Sequence, residues 1–227
     1  MNVQVNYEIE DGNTLDETTT RNRSVLEEKG FDGEDQTKLK DSIADAIVKE
    51  KAQNKAEKDA EDKTAEQDAV MDKSQKLVKK VRGAALTGFA SDQRVLDLFN
   101  VHKRLPYSVN GLRSELELYS TLIPGREIVL LKSGLMQVDI TAVSSLPTEL
   151  VNVDKAQGDA AKIRNSATII RDEAIKVLKA IKKKIRNFVK TAFPNNAEIL
   201  VQFEPLPKPR GGNNTKPPEN PPTPPAQ

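Results

Sequence analysis

The chain has 227 residues, of which 30% are charged, 37% hydrophobic and only 4% aromatic, with a formal net charge of +1. It contains no cysteine, which excludes disulfides, thiolate zinc sites, iron–sulfur clusters and cysteine nucleophiles. A core of aliphatic side chains with few aromatics favours packed helices over a β-sandwich, and a net charge near zero gives the whole molecule no strong field for nucleic acid or anionic lipid.

Residues 1–33 are predicted to form an extended N-terminal segment followed by a polar linker. Polar and apolar residues alternate at the start of the chain, as in a half-buried strand, with the apolar positions at Val3, Val5, Tyr7 and Ile9. Asp11-Gly12 is a turn signal that would end this strand.

A long first helix is predicted from Asp32, a suitable N-cap, to the neighbourhood of Gly83. Its middle, residues 49–68, is highly charged and has only alanines as apolar residues. This stretch either packs thinly through its alanines or stands partly free. Residues 1–72 carry twenty acidic and ten basic side chains, so this half of the chain is acidic.

A second helical region is predicted between Ser91, an N-cap, and Pro124-Gly125, with an interruption at Pro106. The next segment, residues 126–146, fits two patterns. Apolar residues at steps of three and four, beginning with Ile128, favour a helix. Alternation between Met136 and Ala142 is also typical of a strand, and this alternative stays open.

The last helix is predicted to begin at Asp154, with Gln157 in a capping-box-like position, and to end before Pro194. Its predicted buried stripe consists of Ile163, Ala167, Ile170, Ala174, Leu178, Ile181, Ile185, Phe188 and Ala192. Residues 162–190 carry ten basic and two acidic side chains. The basic residues could therefore form a surface around this stripe.

Residues 197–203 form a short β-like run, and residues 204–227 hold most of the prolines of the chain. We expect residues 204–227 to be a disordered or polyproline II tail. The predicted domain is then residues 34–203.

The predicted fold is all-α: an elongated antiparallel bundle of about four helices, the first and last of them long and coiled-coil-like. In this topology the acidic first helix lies beside the basic last helix. The N-terminal segment and residues 197–203 also come close together, so they could pair as a small two-stranded β ribbon.

Two functional surfaces are candidates. The first is the weakly apolar face of residues 49–68, which a partner helix, including one from a second copy, could complete. The second is a polyanion or partner contact on the last helix, formed by Lys176, Lys179, Lys182, Lys183, Arg186 and Lys190. Against a polyanion site, basic runs are usually solvated helix faces, and lysines near a helix C-terminus complement its dipole without any partner.

No motif predicts catalysis, a metal site or a cofactor. The single histidine, His102, has no Glu at the position three residues earlier that a di-iron bundle requires. The glycine pair in residues 83–90 has Phe89 where a phosphate-binding loop needs Lys. We therefore expect a protein that is not an enzyme and binds no metal or cofactor.

The predicted function is a structural or protein–protein interaction role, with a protein partner or self-association. The alternative is binding of nucleic acid or an anionic membrane surface through the basic last helix. The start of the chain lacks the basic and apolar regions of a signal peptide, and its longest apolar run, residues 128–131, is too short to span a membrane. We therefore expect a soluble, cytoplasmic protein without a transmembrane segment.

Overall fold

The computed structural model describes residues 3–209, and all regular secondary structure within this range is helical. The prediction of an all-α protein is thereby confirmed. The helices within the described range are α1 Val3–Arg21, α2 Arg23–Glu27, α3 Glu34–Gly88, α4 Gln93–Leu98, α5 Val109–Leu122, α6 Glu127–Lys132, α7 Gln137–Ala192 and α8 Ala197–Gln202. Most of the predicted tail, residues 210–227, lies outside the described residues.

The predicted β ribbon is not found in the described residues, because both of its segments are helical. The residues that α1 buries include Val5, Glu8, Gly12, Leu15 and Thr19, which follow one another at steps of three and four. This is the spacing of one helix face. Three of these five residues are polar or glycine, so the apolar residues alone do not show the helical spacing. Their alternation at the start of the chain wrongly indicated a strand.

The last helix begins earlier than predicted, at Gln137 instead of Asp154, and continues through Pro147. A proline inside a helix removes one backbone hydrogen bond. Here Val143, Leu146 and Leu150 are fully buried around it, and this burial outweighs the loss. Residues 126–146 are therefore helical, as favoured, but in two pieces separated at Gly134, whose φ of 101° suits glycine alone.

The chain divides into two compact units. The first, here called the terminal unit, contains the described residues up to Lys51 and from Ile170 onward. The second, the central unit, contains Ala52–Ile169. Helices α3 and α7 contribute residues to both units.

The core of the terminal unit is built from α1, α2, α3 and α7, together with Phe203, which follows α8. Its buried side chains include Leu15, Leu26, Leu39, Leu178 and Ile185. Ion pairs join α3 to α7 in opposite chain order: Asp35 pairs with Lys184, and Glu50 with Arg171. Acidic residues of α3 therefore do lie along the basic part of α7 in this unit.

The core of the central unit is built from α3, α4, α5, α6 and α7. Its fully buried side chains include Val81, Phe99, Leu116, Tyr119 and Leu146. The alanines of the charged middle of α3 divide into two groups: Ala56 and Ala60 are buried, whereas Ala52 and Ala65 are exposed. This stretch therefore packs through some of its alanines, whereas other alanines in it are exposed to solvent.

Candidate functional site

The six basic residues predicted as a contact surface all lie on α7 in the terminal unit, but the structure separates them. Four of them are exposed: Lys176, Lys179, Lys183 and Lys190. The other two turn toward the protein interior. The side chain of Lys182 is only 3% exposed and that of Arg186 only 15%.

Lys182 is buried because α1 supplies two carboxylates for its ammonium group. The Lys182 Nζ atom lies 2.6 Å from Glu8 Oε2 and 2.9 Å from Asp11 Oδ2, and it also donates to the backbone oxygen of Glu8. The exposed Lys179 contacts the other Glu8 oxygen at 3.3 Å. Glu8 and Asp11 stand three residues apart on α1, so both face α7.

Arg186 connects α7 by hydrogen bonds to α1 and to the residue that follows α8. Its Nη1 and Nη2 atoms donate to the two carboxylate oxygens of Asp11, at 3.0 and 2.7 Å, and its Nε donates to the backbone oxygen of Phe203. The backbone amide of Leu206 also donates to Asp11, and the hydroxyl of Tyr7 donates to the backbone oxygen of Leu206. The residues just after α8 are thereby held against α1.

The two carboxylates of this network are ionised at neutral pH, because the pKa of each is lowered. Burial alone would raise the pKa of Asp11, but the hydrogen bonds from Arg186, Leu206 and Lys182 outweigh it and lower the pKa to about 2. Burial likewise opposes ionisation of Glu8, yet Lys182 and Lys179 hold its pKa below the ordinary value. Burial, together with these carboxylates, raises the pKa of the Tyr7 hydroxyl. The network is a set of compensated charges that stabilises the fold.

The remaining lysines of this part of α7 differ in their acidic partners. Lys176, Lys183 and Lys190 have no acidic partner within residues 3–209, whereas Lys184 pairs with Asp35 at 2.7 Å. Lys183 and Lys190 line a surface cavity of about 370 Å³ beside the network. An adjoining cavity of about 570 Å³ has a largely apolar lining that includes Val189 and Phe203.

The central unit has a different exposed surface. Large apolar side chains are exposed near the end of α3, on α6, just before α7 and at its start: Leu86, Ile128, Val129, Met136 and Val138. A Cβ atom placed on Gly88 would lie 2.8 Å from Val129 Cγ1, so the end of α3 packs directly on α6. Ile128 is 71% exposed and Val138 is 65% exposed. We call these five residues the apolar surface.

The three-four pattern that begins at Ile128 continues in the sequence to Val138, as on one face of a single helix, but both side chains are exposed. The helix is interrupted at Gly134 between α6 and α7, so the three-four pattern does not continue across it. The predicted stripe of α7 also fails at its start. Ile163 and Ile170 are exposed, whereas Leu178 and Ile185 are fully buried as predicted.

A buried ionic network in the central unit escaped the sequence analysis. The Arg82 guanidinium donates to Glu115 Oε1, to the Tyr119 hydroxyl and to the backbone oxygen of Lys103. Asn100, which has a positive φ of 52°, donates to the other Glu115 oxygen. Burial, reinforced by Glu115, raises the pKa of Tyr119. Only the spacing of Glu115 and Tyr119 on one helix hints at this network, which connects α3, α5 and the segment between α4 and α5.

Within residues 3–209, no group of three histidine or acidic side chains is arranged to hold a metal ion. His102 is exposed in the connection between α4 and α5. No helix of the described chain is both long enough and apolar enough to cross a membrane. Comparisons with protein-family models, curated proteins and solved structures give no match for this chain.

Proposed function

We propose that this protein is a non-enzymatic helical-bundle protein whose role is to associate with protein, and that the apolar surface of the central unit makes the contact. One observation supports the proposal above all: five large apolar side chains are exposed on or directly beside α3, α6 and α7, and the end of α3 packs on α6 at Gly88. Contiguous apolar surface on a folded domain is typical of an interaction site.

The occupant we propose is a second copy of the chain. With a net charge of +1, two copies meet no strong mutual repulsion. The five apolar side chains themselves are uncharged, so their contact needs no partner of complementary charge. The sequence predicted a contact on residues 49–68, where no large apolar side chain is exposed. The contact proposed here lies instead on α6 and the neighbouring parts of α3 and α7.

Sedimentation velocity over a range of concentrations tests the proposal. We expect reversible dimerisation, and we expect Val138→Ser to raise the dimer dissociation constant about tenfold, as for a contact near the centre of an interface. Val201→Ser is the matched control, because Val201 is equally exposed, at 65%, but lies on α8 in the terminal unit. A purely monomeric chain, or equal effects of the two changes, would contradict the proposal.

The second candidate function is binding of a polyanion, and the exposed, unpaired Lys176, Lys183 and Lys190 favour it. If these lysines neutralise phosphates, binding to heparin or duplex DNA weakens with salt, and the double change Lys183→Gln with Lys190→Gln lowers the slope by about two. Lys58→Gln, on the exposed side of α3, is the control. Retention that does not change with salt would exclude this candidate.

A further inference from the structure

Two surface cavities of the terminal unit adjoin each other. The larger, about 570 Å³, has an apolar wall formed by Val189, Pro194, Leu200 and Phe203. The smaller, about 370 Å³, is lined by six basic and two acidic side chains. Arg186, Lys190 and Pro205 line both cavities, so an apolar compartment opens directly beside a cationic one.

The smaller cavity has more basic than acidic side chains, so part of its positive charge has no acidic partner in the cavity. Its two acids, Glu8 and Asp11, already form ion pairs with Lys179, Lys182 and Arg186. Three further lysines at this cavity have no acidic partner within the described residues: Lys183, Lys190 and Lys208.

The larger cavity has one acidic lining residue, Glu204, which is exposed. Its charge disfavours a second carboxylate beside it, whereas the smaller cavity, which Lys190 also lines and Glu204 does not, favours one. The charge distribution thus gives a ligand an orientation, with its anionic end toward the smaller cavity.

We infer that the terminal unit binds one molecule of a small amphipathic anion, with a medium-length alkyl chain in the apolar cavity and its carboxylate at Lys190. Ligand cavities are typically a few hundred Å³, mostly apolar, with a few polar groups that fix orientation, and the two cavities together have this character. A nucleic-acid backbone would leave the apolar cavity unfilled. A concave cavity of this size also accepts a single chain and not a membrane surface. The inference goes beyond the proposed function and uses a different unit of the molecule.

Isothermal titration of the full chain with sodium decanoate, at concentrations where it is monomeric, tests the inference. We expect saturable binding of one decanoate per chain. The two halves of the ligand are tested separately: acetate carries the charge without the chain, and 1-decanol carries the chain without the charge. Both should bind at least about tenfold more weakly than decanoate. Equal binding of decanol or acetate, or no binding of decanoate, would overturn the inference.

Two matched pairs of variants locate the site. Lys190→Gln should weaken decanoate binding about tenfold, whereas Lys176→Gln, an equally exposed change on the same helix but outside both cavities, should leave it unchanged. Leu200→Ser should also weaken binding, with Val201→Ser as its control on α8. Circular dichroism checks that each variant is folded. If Leu200→Ser is unfolded, the comparison of Lys190→Gln with Lys176→Gln alone tests the site. Equal binding by Lys190→Gln and Lys176→Gln would place the ligand elsewhere and overturn the inference.

Discussion

Lys182 and Lys183 are neighbours in sequence with opposite environments. The ammonium group of Lys182 lies between two carboxylates of α1, whereas Lys183 is exposed and has no acidic partner within the described residues. Removing one member of a buried ion pair leaves charge that neither water nor a partner compensates. The two positions therefore differ in what a neutral side chain would cost.

We expect Lys182→Met to lower the free energy of unfolding by about 3 kcal/mol, at the low end for a broken buried pair because Arg186 and Lys179 still neutralise Asp11 and Glu8. Lys183→Met should change it by no more than about 0.5 kcal/mol. Urea unfolding monitored by circular dichroism measures both. If the two variants lose equal stability, α1 does not compensate Lys182 as described.

Asp11 makes stability depend on pH in the acid range. Its pKa in the folded protein is about 2, against an ordinary value of 3.8, so the unfolded chain takes up its proton first as the pH falls. The stabilisation is complete above about pH 4 and is lost as the pH falls toward 2. Glu8, whose pKa is also lowered, acts with the same sign below its own ordinary value.

We therefore expect Asp11→Asn to be less stable than the unaltered chain at pH 7, and this difference to shrink by about 2 kcal/mol by pH 2. Urea unfolding at pH 7, 4, 3 and 2 provides the comparison. Because Glu8 is unchanged, the variant should keep a smaller acid dependence of its own. A difference that stays constant over this range would contradict the role assigned to Asp11.

The sequence located the basic residues of α7 but could not separate those that are buried from those that are exposed. It correctly placed Leu178 and Ile185 inside, because apolar side chains at helical spacing are strong evidence of a core. Lys182 lies on the side of α7 that faces α1, and the sequence predicted α1 to be a strand. Because α1 was not recognised as a helix, its carboxylates could not be identified as the partners that bury Lys182.

At the scale of elements, α1 shows why apolar periodicity failed. Its buried face includes charged Glu8 and Asp11, whose partners are on another helix, and Gly12, where a Cβ atom would lie 3.1 Å from Ile43 Cγ1. Polar residues on a buried face become interpretable only once their partners are known. By contrast, α3 and the later part of α7 were predictable, since their helix-forming residues agree with their packing, and Asp32 accepts a hydrogen bond from the backbone amide of Glu34 at the start of α3.

Two glycines of α3 should respond to alanine with opposite signs. Gly83 is exposed, with no atom within 4 Å of the added methyl group, so Gly83→Ala should stabilise the protein by about 1 kcal/mol through helix propensity. At Gly88 the methyl group would lie 2.6 Å from Ser133 Oγ and 2.8 Å from Val129 Cγ1. Gly88→Ala should therefore destabilise by about 1–3 kcal/mol. Thermal unfolding of both variants provides the check, and equal shifts would show that α6 does not pack closely on the end of α3.

At the scale of the whole molecule, the two ends of the described chain meet in the terminal unit. Tyr7 and Asp11 of α1 hold the backbone of Leu206, and Asn22 donates to the side chain of Gln202. The sequence predicts a disordered or polyproline II tail that begins at residue 204. Within residues 204–209, however, Leu206 contributes hydrogen bonds to the network around Asp11.

Two truncations separate the residues that stabilise the fold from those that follow them. Residues 210–227 belong to the proline-rich sequence that is expected to form no core, so we expect their deletion to leave the unfolding temperature unchanged. Deletion of residues 204–227 removes the Leu206 hydrogen bonds to Asp11 and Tyr7, and we expect the free energy of unfolding to fall by about 2 kcal/mol, since one of these bonds has a charged acceptor.

The longer deletion should also raise the pKa of Asp11, because the Leu206 amide helps to lower it. Its stability should therefore fall by less between pH 4 and pH 2 than that of the shorter deletion, because the folded and unfolded pKa values of Asp11 lie closer together. Equal unfolding temperatures and equal acid dependence of the two chains would show that Leu206 contributes nothing to the fold.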